Sequence, residues 1–462
     1  MRNIARRVQS PTEGAFDKPL AAYNVFCEAK TCVAHKTRYA GVKCSRFGTQ
    51  FAQAFIEKNK IKGGKEMSRT ILVNAEIITP YRVLKSHSVI INGSKIEDII
   101  KTDEAPSYEN LQVIDAQGCY VMPGFIDMHV HGGGGADFME GTERSIGEIS
   151  AFHMKHGTTT MLLTTNCAPM DKIFSVIDKF REVKSTRAYP NLLGVHLEGP
   201  FVSTEQLGAL NVDACKSPDA EDIKKILCYE DVISRITAAP EIYGTLTMAE
   251  RLRNYDILFS VGHSNANNED MLRALESGYS HITHFYSATS TVRRINAYRV
   301  SGVIESGYLL DGYTVEVIAD GHHLPPDLLK LIYKIKGSAR IALVTDSICA
   351  AGLPEGQKAK GSGGREIIIE DGVAKLPDRS AFAGSVSTMD LLVKNMFELA
   401  EVPLNEAVAM ATATPARILR LDKKKGIVNP GMDADLVVMD REFRVRLVMS
   451  DGKVFYDRSE II

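Results

Sequence analysis

Residues 123–131 read Pro123-Gly124-Phe125-Ile126-Asp127-Met128-His129-Val130-His131, a short apolar, strand-forming run that ends in two histidines. Side chains alternate faces along a strand, so His129 and His131, two apart, project to the same side. With the residues just before it, this is the first of eight such runs, Tyr120–His131. The others are Thr158–Thr165, Asn191–Glu198, Ile233–Glu241, Ile257–His263, His281–Tyr286, Thr314–Asp320 and Arg340–Asp346.

Between the runs lie stretches with apolar residues at helical spacing: Ser145–His156, Asp171–Lys184, Ala220–Tyr229, Asn267–Ser277 and Pro325–Lys336. Strands that alternate with helices imply βαβ units and a parallel sheet. Eight of them within residues 119–364 predict a (β/α)8 barrel of the TIM type, for which about 250 residues is typical. Outside it, Ile71–Val113, Arg365–Lys375 and Asp435–Tyr456 alternate apolar and polar residues around turns such as Asn92-Gly93 and Asp451-Gly452. Residues 67–118 and 365–462 are therefore expected to pair into one small β-sandwich, with helices at Met389–Glu401 and Asn405–Leu419 returning the chain to it.

The chain has 462 residues, 44% hydrophobic and 24% charged, the composition of a soluble globular protein. No stretch approaches the roughly 18 apolar residues of a membrane span. A net charge of −2 gives no case for nucleic acid or an anionic membrane as partner. Eight scattered cysteines make no disulfide framework and suit a reducing cytoplasm. The charge is uneven: residues 1–66 hold 13 Lys+Arg against 5 Asp+Glu (+8), leaving 42 against 52 (−10) for the rest. For this basic extension a transit peptide or a loose zinc site of Cys27, Cys32, His35 and Cys44 can be weighed. Lys62-Gly63-Gly64-Lys65-Glu66 ahead of Met67 is, however, what a purine-rich ribosome-binding site gives when translated in frame. A misassigned start is the favoured expectation, and a disordered arm the next.

Chemistry gathers at the strand ends. After His129 and His131 on the first strand, Glu198 ends the third, His263 the fifth, His284 the sixth and Asp346 the eighth. In a (β/α)8 barrel these ends surround the mouth where active sites form. Four imidazoles and two carboxylates there call for a divalent metal. Any one histidine alone would more simply be a hydrogen-bonded core residue; the conjunction carries the inference. His153 and His156, on a helix, read as surface residues, and His196 as a packing residue or a support to the ligands. Gly132–Gly135 lacks a following Lys-Ser/Thr and is no phosphate loop. Imidazole and carboxylate donors without thiolate suit Zn, Fe, Co or Mn, one or two per subunit. Such a metal activates water for hydrolysis, with Asp346 as proton carrier.

Pro123–Gly132 (PGFIDMHVHG), His196–Phe201 (HLEGPF), Gly262–Ala266 (GHSNA), Thr283–Tyr286 (THFY), Ala319–His323 (ADGHH) and Leu343–Gly352 (LVTDSICAAG) resemble the amidohydrolase superfamily. Within it they resemble the N-acetylglucosamine-6-phosphate deacetylases. The likeness runs from about Met67 to the end of the chain. It implies that Glu198, His263 and His284 bind the main metal, with His129 and His131 available for a second. It also implies hydrolysis of an acetamide with Asp346 as catalytic aspartate, and a cytoplasmic homodimer in which one subunit lends an Arg to its neighbour's substrate phosphate.

Three departures touch the substrate. Ser287 stands where the family commonly has Asn, Leu210 where it has a substrate-side His, and Arg293–Arg299 replaces an Arg-Glu-Pro-Gly stretch. The resemblance leaves the phosphate to backbone N–H groups at Ser287 and Ala288, to an Arg of that stretch, taken as Arg294, and to His323. A cyclic-amide hydrolase is an alternative, but the fourth run ends Ala239-Pro240-Glu241 without the metal-bridging Lys those relatives carry. A non-enzymatic sugar-binding barrel is another, and the intact ligand set with Asp346 speaks against it.

Overall fold

Phe125–Val130 (β1) is buried at every position, as a parallel strand covered on both faces must be. The computed structural model describes residues 69–104, 111–361, 364, 366–379 and 382–458; all the readings of the basic extension fall outside them. After β1 come Thr158–Thr164 (β2), Leu192–Glu198 (β3), Ile233–Ala238 (β4) and Leu258–Val261 (β5). Tyr279–Ile282 (β6), Thr314–Val317 (β7) and Ile341–Leu343 (β8) complete a parallel sheet in sequential order. Residues at the end of β1 and just past β8 close the ring: Asp346 N donates to His129 O at 3.0 Å and His131 N to Ser347 O at 2.8 Å. The seam of the barrel therefore runs through the histidine pair.

Helices α1 (Glu143–Lys155), α2 (Met170–Ser185), α3 (Ala220–Leu227), α4 (Thr245–Leu252), α5 (Asn268–Ser277), α6 (Val303–Leu309) and α7 (Pro326–Lys336) fill the crossovers. Thr142, Asp219 and Asn267 accept first-turn backbone N–H groups and so fix where α1, α3 and α5 begin. The eighth barrel helix is α8 (Met389–Glu398): its Met389, Leu392 and Met396 join the main barrel core. That corrects the expectation that this helix serves the sandwich. The segment expected as one helix over Asn405–Leu419 is two, Leu404–Ala411 and Ala413–Ile418, broken at Thr412 with ψ −77°.

The flanking strands Thr70–Ile78, Val83–Asn92, Lys95–Lys101, Gln112–Asp115 and Tyr120–Pro123 join Leu436–Met439, Val445–Ser450 and Lys453–Asp457 in one eight-stranded sheet. Leu72, Val89, Ile114, Val121, Leu436 and Leu447 make its common core. Two boundaries differ from expectation. Tyr120–Pro123 pairs with Leu436–Met439 and belongs to this sheet, not to the barrel. The chain crosses between them at Gly124, where a Cβ would lie 2.0 Å from Thr159 Oγ1. Glu366–Glu370 and Val373–Lys375 do not join the sheet either. They form a small sheet with Lys358–Lys360, and Ile367 and Ile369 pack on Cys349 and Ala350 beyond β8. Alternation predicted the strands but could not name their partner. Among the described residues no helix is long and apolar enough to cross a membrane.

Candidate functional site

The strand ends bring their polar residues together over the barrel mouth. His263, His284 and Asp346 each follow a strand with positive φ, at 48°, 27° and 47°. Non-glycine residues rarely adopt this conformation, and strain of this kind collects at functional sites. Here it turns each side chain inward.

Glu198 lies at the centre. Its Oε1 is 3.2 Å from His263 Nε2 and 3.2 Å from His284 Nε2. Its Oε2 is 3.0 Å from His131 Nε2, and Oε1 is 3.4 Å from His129 Nε2. The donor atoms thus form two groups that share Glu198: His129 with His131, and His263 with His284. Asp346 Oδ1 stands 3.4 Å from Nε2 of both His129 and His131. All these side chains are buried or nearly so.

Three rings are oriented from behind. His263 Nδ1 lies 2.9 Å from Gln206 O and His284 Nδ1 3.1 Å from Ser287 O. A carbonyl only accepts, so both Nδ1 atoms donate and both Nε2 atoms present lone pairs to the centre. His129 Nδ1 faces Glu316 Oε2 at 3.2 Å. His131 Nδ1 is buried without a partner.

Burial opposes charge on His129, yet the carboxylates of Glu198, Asp346 and Glu316 hold its pKa well above the ordinary histidine value. Burial would raise Glu198, but His129, His131 and His263 keep it well below the usual carboxylate range. Carboxylates this buried are costly unless positive charge meets them. The residues present therefore fit a cation, which would take the place of the imidazole protons: imidazole nitrogens converge around an ionised carboxylate, with no thiolate among them.

A cavity of about 230 Å³ opens above this centre. His131, Glu198, His263, His284 and Asp346 floor it; Asn166, Leu210, Ser287, Ala288, His323 and Phe382 stand among its walls. His323 Nδ1 is tied to Asp320 Oδ2 at 2.6 Å. Ser287 N–H turns back to His284 O at 2.8 Å, so of the two backbone donors expected for substrate, this one is committed. Arg294 is not among the lining residues. It sits on an exposed hairpin, Arg293–Ile295 with Tyr298–Val300, whose Arg293 donates to Asn265 Oδ1 and O.

His196 is held between Thr164 and Thr237 hydroxyls at 3.2 and 2.7 Å and meets the His129 ring edge-on. His153 is not at the surface. Its Nε2 bonds Gly132 O at 3.0 Å, bracing the glycine run, and burial pushes its pKa down to about 4. His156 is the half-buried one, beside Asp390. Sequence reading overlooked Glu316 and Arg235, fully buried beneath the histidines. Their signal is a charged residue inside an apolar strand, Thr314-Val315-Glu316-Val317 and Ile233-Ser234-Arg235-Ile236.

The model of the Amidohydrolase family matches residues 120–455. The N-acetylglucosamine-6-phosphate deacetylase of Bacillus subtilis is 32% identical over 401 residues, 85% of this chain and 99% of that protein. The one from Haemophilus influenzae is 34% identical over 384 residues, 83% and 98%. Among solved structures, the deacetylase of Pasteurella multocida superposes with a TM-score of 0.78 at 30% identity, covering 84% of this chain and 99% of that one.

Proposed function

This chain belongs to the amidohydrolase family, and from that premise we propose that it hydrolyses the acetamide of N-acetylglucosamine 6-phosphate, releasing acetate and glucosamine 6-phosphate. The observation that carries this reading is the sharing of Glu198 between two imidazole pairs with Asp346 alongside. Relatives that align over nearly their whole length bear the name of that reaction.

Glu198, His263 and His284 hold the main divalent metal, and His129 and His131, with Glu198, a second. The donor set suits Zn, Fe, Co or Mn. When bound, such an ion lowers the pKa of water and polarises a carbonyl. Asp346 Oδ1 takes a proton from the attacking water as its oxygen joins the acetyl carbon. The same carboxyl then gives that proton to the sugar nitrogen as the C–N bond breaks. His323, Ala288 N–H and the Ser287 hydroxyl face the sugar phosphate. Arg294 reaches it from the second subunit of a homodimer. The cytoplasm, where Cys119, Cys167, Cys215, Cys228 and Cys349 stay free thiols, is its compartment.

The test is acetate release from N-acetylglucosamine, its 6-phosphate and the galactosamine epimer, each with added Zn²⁺, Fe²⁺ or Co²⁺. The 6-phosphate of N-acetylglucosamine is expected to react best. Its advantage over the free sugar is expected to be smaller than in relatives that keep the Asn and His. Equal kcat/KM with and without phosphate would overturn the sugar-phosphate reading.

A further inference from the structure

Below the histidines, on β7, Glu316 touches both donor groups with one carboxylate. Oε2 accepts the backbone N–H of His284 at 2.9 Å and faces His129 Nδ1 at 3.2 Å. Oε1 pairs with Arg235 Nη1. Both side chains are wholly buried. The guanidinium spans the barrel interior: from β4 it also donates to Ser260 Oγ at 3.0 Å, Met128 O at 3.2 Å and Thr283 Oγ1 at 2.8 Å. Those partners lie on or next to β5, β1 and β6.

A buried ion pair is a poor way to stabilise a barrel, because apolar residues of the same volume serve as well or better. This pair has a second consequence. A carboxylate whose other oxygen is held by a guanidinium is an acceptor only, so His129 Nδ1 donates to it and Nε2 is the nitrogen turned toward Glu198 to serve a metal. His263 and His284 are fixed in the same sense by carbonyls. In the other group His131 Nδ1 has no partner, so orientation of that group rests on His129 alone.

The geometry points to Glu316, held by Arg235, as the positioning residue that sets how firmly the His129–His131–Glu198 group binds its metal. This rests on the metal-dependent reading above. An amide at position 316 would turn an N–H₂ either to Arg235 or to the side shared by His129 Nδ1 and the His284 backbone N–H. Arg235 has only donors, so the amide oxygen stays with Arg235 and the N–H₂ faces His129 Nδ1 and the His284 N–H; the His284 ring keeps its own anchor, Ser287 O. The ring must then change tautomer or turn away.

The experiment is a Co²⁺ titration of chelator-stripped protein, followed by the visible spectrum and by metal content. The wild type, Glu316→Gln, His129→Ala and the double variant are compared. The wild type is expected to bind two equivalents. Glu316→Gln is expected to weaken the second equivalent by about 10–100-fold, the usual effect of losing a partner behind a ligating histidine, and the first much less. In the His129→Ala background it should add nothing. If Glu316→Gln does not fold, Arg235→Lys takes its place; it keeps a cation but loses the fixed fork, and the same selective loss is expected to a smaller degree. A second equivalent within twofold of wild type, or both equivalents weakened alike, overturns the inference. So does a wild type that takes one equivalent regardless of His129. A wild type that binds no Co²⁺ overturns instead the metal reading beneath it.

Discussion

His263 Nε2 and His284 Nε2 face each other at 3.1 Å, although each ring already donates to a carbonyl through Nδ1. Two lone pairs at that distance repel unless something positive stands between them. Glu198 Oε1, 3.2 Å from each, adds a negative charge to the same point. The arrangement makes sense as an ion cage and is otherwise costly.

His263→Ala should therefore lose metal and activity together. Losing a partner behind a ligand costs about 10–100-fold in metal affinity or activity, and losing the ligand itself should cost at least that. Metal content of dialysed protein, measured beside acetate release, checks this. Unchanged metal and unchanged turnover would remove His263 from the centre.

Asp346→Asn separates proton transfer from metal binding. Burial would raise the Asp346 pKa, but His129, His131 and His284 outweigh it and hold the carboxyl below its ordinary value. It is thus ionised and ready to accept a proton at neutral pH, and protonation of Asp346 itself costs activity only below its ordinary value. An amide of the same shape cannot accept. Metal content and melting temperature are expected to persist, while kcat drops by roughly 10²–10⁴-fold. Near-normal kcat in the variant would take Asp346 out of the reaction.

Much of this was legible beforehand because barrel strands announce their ends. The residues that end β3 or follow β5, β6 and β8 are the ones the sequence singled out, and the fold brings Glu198, His263, His284 and Asp346 together there. Partnership between distant segments was not legible. Tyr120–Pro123 looks continuous with β1, yet Gly124 lets the chain change sheets. Ile367 and Ile369 alternate like sandwich residues but cover the loop after β8. His153 lies on a helix whose burial depends on where the glycine run folds back, which no local pattern encodes.

His323 gives a pH test of substrate grip. Burial works against its charge, but Asp320, 2.6 Å from Nδ1, raises its pKa above the ordinary value. A charged imidazole binds a phosphate better than a neutral one, so KM for the phosphorylated sugar should rise as pH climbs through that raised value. His323→Asn should raise KM about tenfold or more and flatten the pH dependence. Stability follows the same sign. His323's contribution is complete below the unfolded value of about 6.5 and fades above the folded one. Asp320, whose pKa is lowered, contributes above about 3.9 and loses this as acid reaches its folded value. Chemical melts of wild type and His323→Asn at pH 5, 7 and 9 should diverge most at pH 5.

The phosphate itself leads to the hairpin. Among the described residues lining the cavity there is no Lys or Arg, while Asp137, Glu198 and Asp346 are there, so from its own chain a dianion finds no permanent side-chain cation. Arg294 and Arg299 stand directly opposite each other across the hairpin, on one face and exposed. Like charges so placed repel, and an anion between them would relieve it. Val292, Ile295 and Tyr298 beside them are 53%, 45% and 78% exposed, an apolar surface suited to a second copy of the chain. Since the hairpin lines no part of its own cavity, Arg294 should act on its neighbour's. Arg294→Ala is expected to raise KM for the 6-phosphate at least about tenfold, the scale of a charge-assisted bond, with kcat nearly unchanged. For the unphosphorylated sugar it should change nothing. Dilution below the Kd of the proposed homodimer should mimic the variant in wild-type protein and have no further effect on Arg294→Ala. Equal losses on both sugars would show that the hairpin supports the fold of the site and not its hold on phosphate.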